Sequence, residues 1–485
     1  MRRTVAEAAA AMGGQVVGGD AAARWTRATL DSRQVSGGEL FFALRGERVD
    51  GHDFAGDALA RGAAAVVVER DVTLPALAEG ARGGLIRVPA VYDALHALTR
   101  AVRREVPERL LAITGSSGKT TTKELLALCL ERRYLVAKSP GNLNNLLGFP
   151  LALLGTEPGT EWLVAEMGMS LPGELAQLSR LARPDVALFT NVRPVHLEGL
   201  GSLEAIAHAK GELLEGLDES GTVVVNRDDP WVRWIGERHP GRKVWYSASG
   251  EAPYSLAGVA PREAGTGTRF RLLTPEGAVE VELPLHGAYN AENFLAAAAA
   301  AHALGVPLAE LPAAAAAAAP TGGRGAVLAL GRAGGRAGSR AAGAGFTVID
   351  DSYNSNPVAL RRALESARAL HGARHWAVLG DMLELGPDAP RFHREEGEAA
   401  AALGFAPVVG VGELSRQLAE GAAASGARSE WFATAEEAAA FAAGEAREGD
   451  VVLVKGSRGV RLERVVAALR AAAGEATDAG EGAAH

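Results

Sequence analysis

The stretch that most constrains the fold of this chain is ITGSSGKTTT at residues 113–122. An apolar run, RLLAITG at 109–115, leads into it, and the helix-like KTTTKELLALCLERR follows, so the pattern predicts strand, glycine turn and helix. Such a turn presents backbone N–H groups and a positive helix end to phosphate oxygens. The first glycine of the usual G-x-x-x-x-G-K-[ST] spacing would fall at 113, where the chain has Ile113. The context still favours a nucleotide site over a chance Gly-Lys-Thr.

The residue types in this loop match what phosphate binding requires. Gly115 and Gly118 allow the backbone to approach phosphate oxygens closely. Lys119 would neutralise the β and γ phosphates, and the Thr120 hydroxyl would bind Mg²⁺. Mg²⁺ needs further hard oxygen ligands, and Glu166 ends the predicted strand WLVAE, where open α/β sheets place their ligands. The predicted nucleotide-contacting residues of the loop are Gly115, Ser116, Ser117, Gly118, Lys119, Thr120 and Thr121.

The composition indicates a soluble protein of several domains that binds small molecules. At 485 residues the chain suits about three domains of roughly 150 residues each. Its formal net charge of -8 argues against a broad nucleic-acid or anionic-membrane surface. The single cysteine, Cys129, excludes an internal disulfide, the N-terminus lacks a signal core, and no run approaches the roughly 20 apolar residues of a membrane span. We therefore expect a monomeric cytoplasmic protein with no nucleic-acid partner and no membrane insertion.

Runs of apolar residues divide the chain into three α/β parts. Residues 1–88 form a small first domain, which a helical stretch at 91–106 links to a central domain at 89–318. Buried-strand candidates alternate with helical stretches there, which predicts a mostly parallel, doubly wound sheet with strands at 109–115, 162–168, 185–192 and 221–226. A third α/β domain at 319–485 has predicted strands at 346–350, 375–381, 407–412 and 450–457.

Two low-complexity segments carry no predicted structure. The Gly/Ala/Arg-rich segment 331–345 has three arginines, and a flexible surface loop is favoured there over an anion-binding role. The tail from about 474 is predicted to be disordered.

Two further residues are ambiguous on chemistry alone. A lone histidine such as His196, in NVRPVHLEGLGS, is more often structural than a metal ligand. A lone helical lysine such as Lys210, in IAHAKGELL, is usually just solvated.

As a whole, the pattern of motifs closely resembles the Mur ligases, the ATP-dependent amide-forming enzymes of peptidoglycan precursor synthesis. The matching stretches run in the family's order through all three parts: TGSSGKTTTKE, GNLNNLLGFPL, EMGMSLPGEL, HLEGLGS, AKGEL, IDDSYNSNP, VLGDMLELG, HREEG and VLVKGSRG. The resemblance implies addition of D-alanyl-D-alanine to UDP-N-acetylmuramoyl-tripeptide through an acyl phosphate. IDDSYNSNP and GDMLELG carry this finer assignment.

The resemblance also implies a metal centre and explains Ile113, because the family's loop lacks the first Walker glycine. Lys119 would grip phosphate, and Thr120 with Glu166 would hold one Mg²⁺. His196 would bind a second Mg²⁺, together with Lys210 after carbamylation by CO₂. Since carbamylation needs a neutral amine, we expect desolvation or the metals to lower the pKa of Lys210.

In the family, the third domain is a Rossmann-like lid over ATP. Asn290 and Asn293 in YNAEN would bind adenine, Arg324 in PTGGRG would reach an ATP phosphate, and Asp351 in IDDSYNSNP would bind the ribose hydroxyls. Arginine suits this task because its planar fork binds phosphate oxygens in pairs. The implied catalytic residues are Lys119, Lys210, His196 and Arg324.

Substrate contacts are implied in all three parts. Asn142 and Asn145 in GNLNN would face the γ-phosphate and the tripeptide. The UDP end would lie in the first domain, at Ser32, Arg33, Arg45 and Gly46. The incoming dipeptide would meet Lys455, Ser457 and Arg458 of VKGSRG.

Three alternatives remain at this level. A sister Mur ligase that adds a single amino acid and a folate polyglutamate synthase both share the loop, although IDDSYNSNP and GDMLELG disfavour them. A non-catalytic ATP-binding regulator of the same fold is disfavoured by the intact Lys119, Glu166, His196 and Lys210. The motifs leave the third residue of the tripeptide, diaminopimelate or lysine, open.

Overall fold

The computed structural model describes residues 3–72, 83–195, 197–262, 266–331 and 345–475. Within these ranges the chain forms three α/β units, each built on its own sheet. This confirms the predicted three-part α/β fold. The predicted loop at 331–345 and the predicted disordered tail lie outside the described residues, apart from their ends.

The first unit is a small sheet in the order β1-β5-β4-β3-β2, in which β2 to β5 are parallel and β1 runs antiparallel. The strands are short; β2, β3 and β4 are fully buried, β5 is buried at alternate residues, and β1 is mostly exposed. The elements are α1 (Val5–Ala11), β1 (Gln15–Gly18), β2 (Ala28–Thr29), a 3-10 helix (Ser32–Gln34), β3 (Leu40–Phe42), a 3-10 helix (Gly51–Phe54), α2 (Ala55–Ala60), β4 (Ala65–Val68) and β5 (Gly84–Arg87).

A single helix, α3 (Val91–Arg103), leads from the first unit to the central one. Its buried face includes Leu95 and Leu98, which belong to the same hydrophobic cluster as Phe42 of the first sheet and Phe149 of the central unit. The first and central units therefore share one continuous core.

The central unit is a large sheet in the order β14-β13-β12-β11-β10-β9-β6-β8-β7. Its strands are parallel from β12 to β7, as predicted for a doubly wound sheet. The elements of the first half are β6 (Arg109–Thr114), α4 (Lys119–Leu130), β7 (Val136–Lys138), α5 (Gly148–Leu154), β8 (Trp162–Glu166), α6 (Glu174–Ala182), β9 (Val186–Phe189), α7 (Leu197–Leu200) and α8 (Leu203–Gly211).

The second half of the central unit adds an antiparallel extension that the sequence patterns did not predict. β12, β13 and β14 form an antiparallel meander, with charged side chains alternating along the exposed faces. The elements are a 3-10 helix (Glu212–Gly216), β10 (Thr222–Asn226), α9 (Pro230–Glu237), β11 (Arg242–Ser247), β12 (Tyr254–Pro261), β13 (Thr268–Thr274), β14 (Gly277–Leu283), α10 (Ala288–Ala303), a 3-10 helix (Leu308–Glu310) and α11 (Leu311–Ala316).

The third unit is a sheet in the order β15-β16-β20-β17-β18-β19, parallel except for β15. The elements are β15 (Ala326–Leu330), β16 (Phe346–Asp351), α12 (Pro357–Arg368), β17 (Arg374–Gly380), a 3-10 helix (Gly386–Asp388), α13 (Ala389–Ala402), β18 (Val408–Val411), α14 (Ser415–Ala424), β19 (Ser429–Phe432), α15 (Ala435–Glu445), β20 (Asp450–Lys455), a 3-10 helix (Arg458–Val460) and α16 (Glu463–Ala472).

The single cysteine, Cys129, lies in α4 and is buried in the core, and burial raises the pKa of its thiol to about 12. Among the described residues, no helix has the length and apolar character needed to cross a membrane.

One buried carboxylate ties the end of β9 to the helix that follows β10. Asp229 is fully buried and caps α9 by accepting hydrogen bonds from the N–H groups of Trp231 and Val232. Its other oxygen accepts from the Val192 N–H and from the Arg193 guanidinium, both at 2.9 Å.

We expect Asp229→Ala to lower the free energy of unfolding by about 3 kcal/mol, because it removes a helix cap and leaves buried donors unsatisfied. Urea unfolding followed by tryptophan fluorescence would measure the change. Asp218→Ala, at an exposed turn where the carboxylate accepts only from Ser220, is the matched control and should change little. Equal losses in the two variants would contradict the role given to Asp229.

Candidate active site

The glycine turn after β6 has the backbone shape of a phosphate-binding loop. Gly118 caps α4 with φ of 81°, and Gly115 has φ of 150°. A Cβ at Gly118 would overlap Asn293 Oδ1, and a Cβ at Gly115 would overlap Thr190 Oγ1. Ile113 lies inside β6 and is fully buried. Position 113 is therefore part of the strand, and the turn itself begins at Gly115.

Lys119 lies across this turn at the first position of α4. Its ammonium group donates a hydrogen bond to the Gly115 carbonyl at 2.8 Å. Burial lowers the pKa of Lys119, with the nearby Arg324 adding to the effect and Glu166 opposing it. The amine therefore lies where an anion would stabilise its charge, beside the positive end of a helix.

The end of β9 supports the turn from behind. The Asn191 side chain accepts from the Ser117 N–H at 3.0 Å and donates to the Ser117 carbonyl at 3.1 Å. The Thr190 hydroxyl donates to the same carbonyl at 2.8 Å, and the Asn191 carbonyl accepts from the Ser116 N–H. Thr190 and Asn191 were not predicted from the sequence, although their position just after a buried strand was a usable signal.

Glu166 lies at the end of β8, next to the turn, and is only 2% exposed. The Thr120 hydroxyl donates to its Oε2 at 2.6 Å, and the Asn144 amide donates to its Oε1 at 2.8 Å. Asn142 and Asn145 were the predicted residues of GNLNN, and Asn144 was not among them. Asn145 instead accepts from backbone N–H groups at the start of α5.

The oxygen atoms of Thr120 and Glu166 fit a Mg²⁺ ion, because both are hard ligands and they meet beside a phosphate-binding turn. In the ranges that the structure describes, no group of three or more His, Cys, Asp or Glu side chains is arranged to hold a metal ion. His196, the predicted ligand of the second ion, lies outside the described residues.

Lys210, the other predicted ligand of the second ion, lies in α8 and is 3% exposed. Burial lowers its pKa well below the ordinary lysine value, and the charge on Lys119 lowers it further. The direction is the one that the sequence analysis expected for a lysine that must be neutral to react with CO₂.

A cavity of about 430 Å³ opens over the turn, between the central and third units. Its walls include Asn144, Asn191, Tyr289, Tyr353 and Arg362, which the sequence analysis did not assign. The predicted residues that line it are Ser116, Ser117, Gly118, Lys119, Thr120, Thr121, Asn142, Asn145, Glu166, Asn290, Asn293, Arg324, Asp351 and Lys455.

The third unit supplies the opposite wall. The Arg324 guanidinium lies 3.9 Å from the centre of the Tyr353 ring, within cation–π range. Asp351 and Lys455 end the adjacent parallel strands β16 and β20, and their side chains pair at 2.6 Å. Lys455 also donates to the Asn354 carbonyl. Burial raises the pKa of Asp351, although Lys455 opposes the effect.

Several predicted substrate residues do not line this cavity. Ser457 accepts a hydrogen bond from the Leu383 N–H, and Arg458 is half exposed with its guanidinium 5.6 Å from the Tyr353 ring centre. The predicted UDP-binding residues of the first unit also lie outside the lining of this cavity: Ser32, Arg33, Arg45 and Gly46.

Those four residues lie in turns of the first unit. Ser32 is buried in a 3-10 helix, and the exposed Arg33 pairs with Asp31 at 2.8 Å. The backbones of Arg45 and Asp50 form an isolated antiparallel β-bridge, which closes a turn around Gly46. The structure places them in one unit but shows no contact between them and the cavity.

A second cavity of about 360 Å³ adjoins the first. Tyr289, Glu292 and Arg362 line both cavities. The Arg362 guanidinium pairs with Glu292 at 2.7 Å, which joins the central and third units.

Family models match all three units. The model described as Mur ligase middle domain matches residues 113–301. That described as Mur ligase, glutamate ligase domain, matches 335–458, and that described as Mur ligase family, catalytic domain, matches 25–108.

Two whole proteins are similar to this chain over most of their length. The UDP-N-acetylmuramoyl-tripeptide–D-alanyl-D-alanine ligase of Escherichia coli is 38% identical over 450 residues, which cover 91% of this chain and 93% of that protein. The enzyme of the same name from Bacillus subtilis is 34% identical, with 90% and 91% covered.

Solved structures agree with these relatives. A crystal structure of MurF from Acinetobacter baumannii has a TM-score of 0.82 and 29% identity, covering 97% of this chain and 99% of that one. The MurF ligase of Thermotoga maritima in complex with ADP has a TM-score of 0.76 and 29% identity, covering 92% and 98%.

We expect Gly118→Ala to weaken ADP binding by about tenfold or more. A non-glycine residue is strained by about 1–2 kcal/mol in this left-handed backbone, so the turn would relax away from the shape that binds phosphate. Restoring that shape on binding would weaken the affinity about tenfold, which corresponds to about 1.4 kcal/mol. The added methyl group would also displace Asn293. Isothermal titration calorimetry with ADP would measure the loss.

Gly159→Ala is the matched control for backbone strain. Gly159 has φ of 88°, and a Cβ there would meet no atom within 4 Å. This variant should lose stability but bind ADP as the wild type does. ADP affinity unchanged in Gly118→Ala would show that the turn is not the phosphate site.

Proposed function

This chain belongs to the Mur ligase family, and we infer that it is the ATP-dependent ligase that joins D-alanyl-D-alanine to UDP-N-acetylmuramoyl-tripeptide, giving UDP-N-acetylmuramoyl-pentapeptide. The observation that carries the inference is the cavity in which Lys119, Thr120 and Glu166 face Arg324 from another unit. A phosphate-binding turn covered by a second unit suits transfer of a phosphoryl group to a substrate rather than to water.

ATP binds with its phosphates over the turn. Backbone N–H groups at the start of α4, the Lys119 ammonium and the Arg324 guanidinium would all oppose the negative charge gathered there. We propose that Asn290 and Asn293 contact adenine and that Asp351 contacts the ribose. All three residues line the first cavity, close to the wall at Tyr289 that it shares with the second, which supports this assignment.

The reaction would proceed in two steps. The terminal carboxylate of the tripeptide attacks the γ-phosphorus of ATP, so that ADP leaves and an acyl phosphate forms. The amine of D-alanyl-D-alanine then attacks the acyl carbon, and inorganic phosphate leaves from the tetrahedral intermediate. In this scheme, Lys119 and Arg324 hold the phosphoryl group in position and oppose its charge.

Two Mg²⁺ ions would supply further charge neutralisation and orient the phosphate oxygens. We propose Thr120 and Glu166 as protein ligands of the first ion, because their oxygens already lie 2.6 Å apart beside the turn. We propose His196 and carbamylated Lys210 as ligands of the second.

The carbamate on Lys210 would form when the neutral amine attacks CO₂ and releases a proton. The buried position of Lys210 supports this proposal, because burial and the charge on Lys119 both favour the neutral amine. Once formed, the carbamate would place an anionic oxygen ligand where the unmodified side chain could place only a neutral amine.

The other substrates would reach the cavity from either side. We propose that Ser32, Arg33, Arg45 and Gly46 bind the UDP end in the first unit. Asn142 and Asn145 would face the tripeptide, and Lys455, Ser457 and Arg458 would lie near the dipeptide. Because Lys455 already pairs with Asp351, Arg458 is the more accessible cation for a dipeptide carboxylate.

The remaining expectations stay predictions. We propose domain boundaries near residues 88 and 318, a cytoplasmic location and a monomeric enzyme. A single chain supplies both walls of the cavity, which supports a monomer.

We expect the purified protein to release phosphate from ATP only when UDP-N-acetylmuramoyl-tripeptide and D-alanyl-D-alanine are both present. A coupled phosphate assay with each amine in turn, and mass spectrometry of the product, would test this. Turnover with single amino acids instead would identify a sister ligase. Release that needs neither substrate would leave only an ATPase.

We expect ¹³C-labelled bicarbonate to give a carbamate resonance in the NMR spectrum of the wild type but not of Lys210→Ala. Loss of a metal ligand should slow turnover by about a hundredfold or more, since metals contribute several kcal/mol. Short carboxylic acids should restore part of the activity.

Lys243→Ala is the control for this experiment, because Lys243 reaches only a surface carbonyl, that of Gly241. It should keep both the resonance and the activity. Full activity of Lys210→Ala without added acids would rule out a carbamate ligand.

A further inference from the structure

Lys123 is a buried charge that the reaction described above does not use. It lies in α4, one turn after Lys119, and its side chain is 0% exposed. Lysine is almost never fully buried unless it is paired, since removing an ammonium group from water is costly. The groups that pair with its ammonium therefore indicate the role of Lys123.

Two of its three partners belong to one segment of backbone. The Lys123 ammonium donates to the carbonyls of Ser139 and Gly141, at 2.6 Å and 2.9 Å. Its third neighbour is the Glu124 carboxylate, at 3.2 Å. Both carbonyls belong to the loop between β7 and α5, residues 139–147, which we call the asparagine loop. It contains Asn142, Asn144 and Asn145.

The asparagine loop in turn holds Glu166 from two sides. The Ser139 hydroxyl accepts a hydrogen bond from the Glu166 N–H at 3.1 Å, and the Asn144 amide donates to the Glu166 carboxylate at 2.8 Å. The Asn144 carbonyl also accepts from the Gly168 N–H at 2.8 Å, just beyond β8. The position of the Glu166 carboxylate therefore depends on the position of this loop.

These contacts close a ring that begins and ends on one helix. Thr120 of α4 contacts Glu166, Glu166 contacts Asn144, and the asparagine loop returns to Lys123, three residues after Thr120. Residues three apart lie on the same face of a helix, so the two contacts share one rigid support.

We propose that Lys123 is a positioning residue that fixes the asparagine loop, and through it both the Glu166 carboxylate and the cavity-facing Asn142. The helix that grips phosphate thereby also sets the geometry of the wall that meets the second substrate. The proposal rests on the proposed function where it treats Glu166 as a metal ligand and Asn142 as facing the second substrate. The contacts themselves do not depend on it.

Lys123→Met is the principal test variant, because methionine fills a similar volume without a donor. Lys138→Met is the matched control, since Lys138 is a half-exposed neighbour that pairs with the same Glu124 but does not hold the loop. Lys123→Gln keeps a shorter, neutral donor and should behave between Lys123→Met and the wild type. It also serves if Lys123→Met does not fold.

The first readout does not involve activity. In hydrogen–deuterium exchange, the amides of residues 139–147 should exchange about tenfold faster or more in Lys123→Met, while those of residues 109–114 in β6 stay protected. Lys138→Met should match the wild type in both segments. Unchanged exchange of residues 139–147 in a folded Lys123→Met protein would overturn the proposal.

The second readout separates positioning from general stability. Supporting residues around a metal ligand typically contribute about 10–100-fold to metal affinity or activity. We expect Lys123→Met to raise the Mg²⁺ concentration for half-maximal rate and the KM for the UDP-linked substrate by about tenfold, with nucleotide affinity measured without metal changed less than about twofold. A lower melting temperature with both kinetic parameters unchanged would show that Lys123 serves stability only. A wild-type protein without ligase activity would contradict the proposed function, while the exchange experiment would still decide the role of Lys123.

Discussion

The hydrogen bond between Thr120 and Glu166 is the contact on which the rest of the candidate site depends. It can form because β6 and β8 are adjacent parallel strands, so the turn after one and the last residue of the other lie at the same sheet edge. β9 flanks β6 on the other side and brings Asn191 under the turn. Three neighbouring strand ends thus supply the phosphate-binding turn, the carboxylate and the backbone support.

Lys119 and Arg324 place two positive charges beside this contact. Burial lowers the pKa of both Lys119 and Lys210, the nearby Arg324 lowers that of Lys119 further, and the charge on Lys119 lowers that of Lys210 further. This repulsion is unfavourable in the empty cavity and is relieved when a triphosphate enters. The third unit keeps one of its own cations, Lys455, paired with Asp351, so that not all of the positive charge faces the phosphates.

Sequence patterns predicted the parts of the fold and of the site that depend on residues adjacent in the sequence. The buried strands before and after the turn, the glycine positions and Glu166 could be predicted because each strand end leads directly into the residue concerned. Asn144 could not be selected, because GNLNN offers three asparagines and only the course of the loop decides which one meets Glu166. Lys123 looked like any lysine in a helix, and the antiparallel β12 to β14 were missed because their half-exposed faces mix charges with apolar residues.

The helix α3 has a consequence for how the protein can be divided. Because Leu95 and Leu98 lie in a core that also contains Phe42 and Phe149, the first and central units bury each other's apolar surface. A fragment that begins at β6 would expose that surface to water and favour aggregation. The first two units should therefore melt in one cooperative transition, and a cut within α3 would damage both of them.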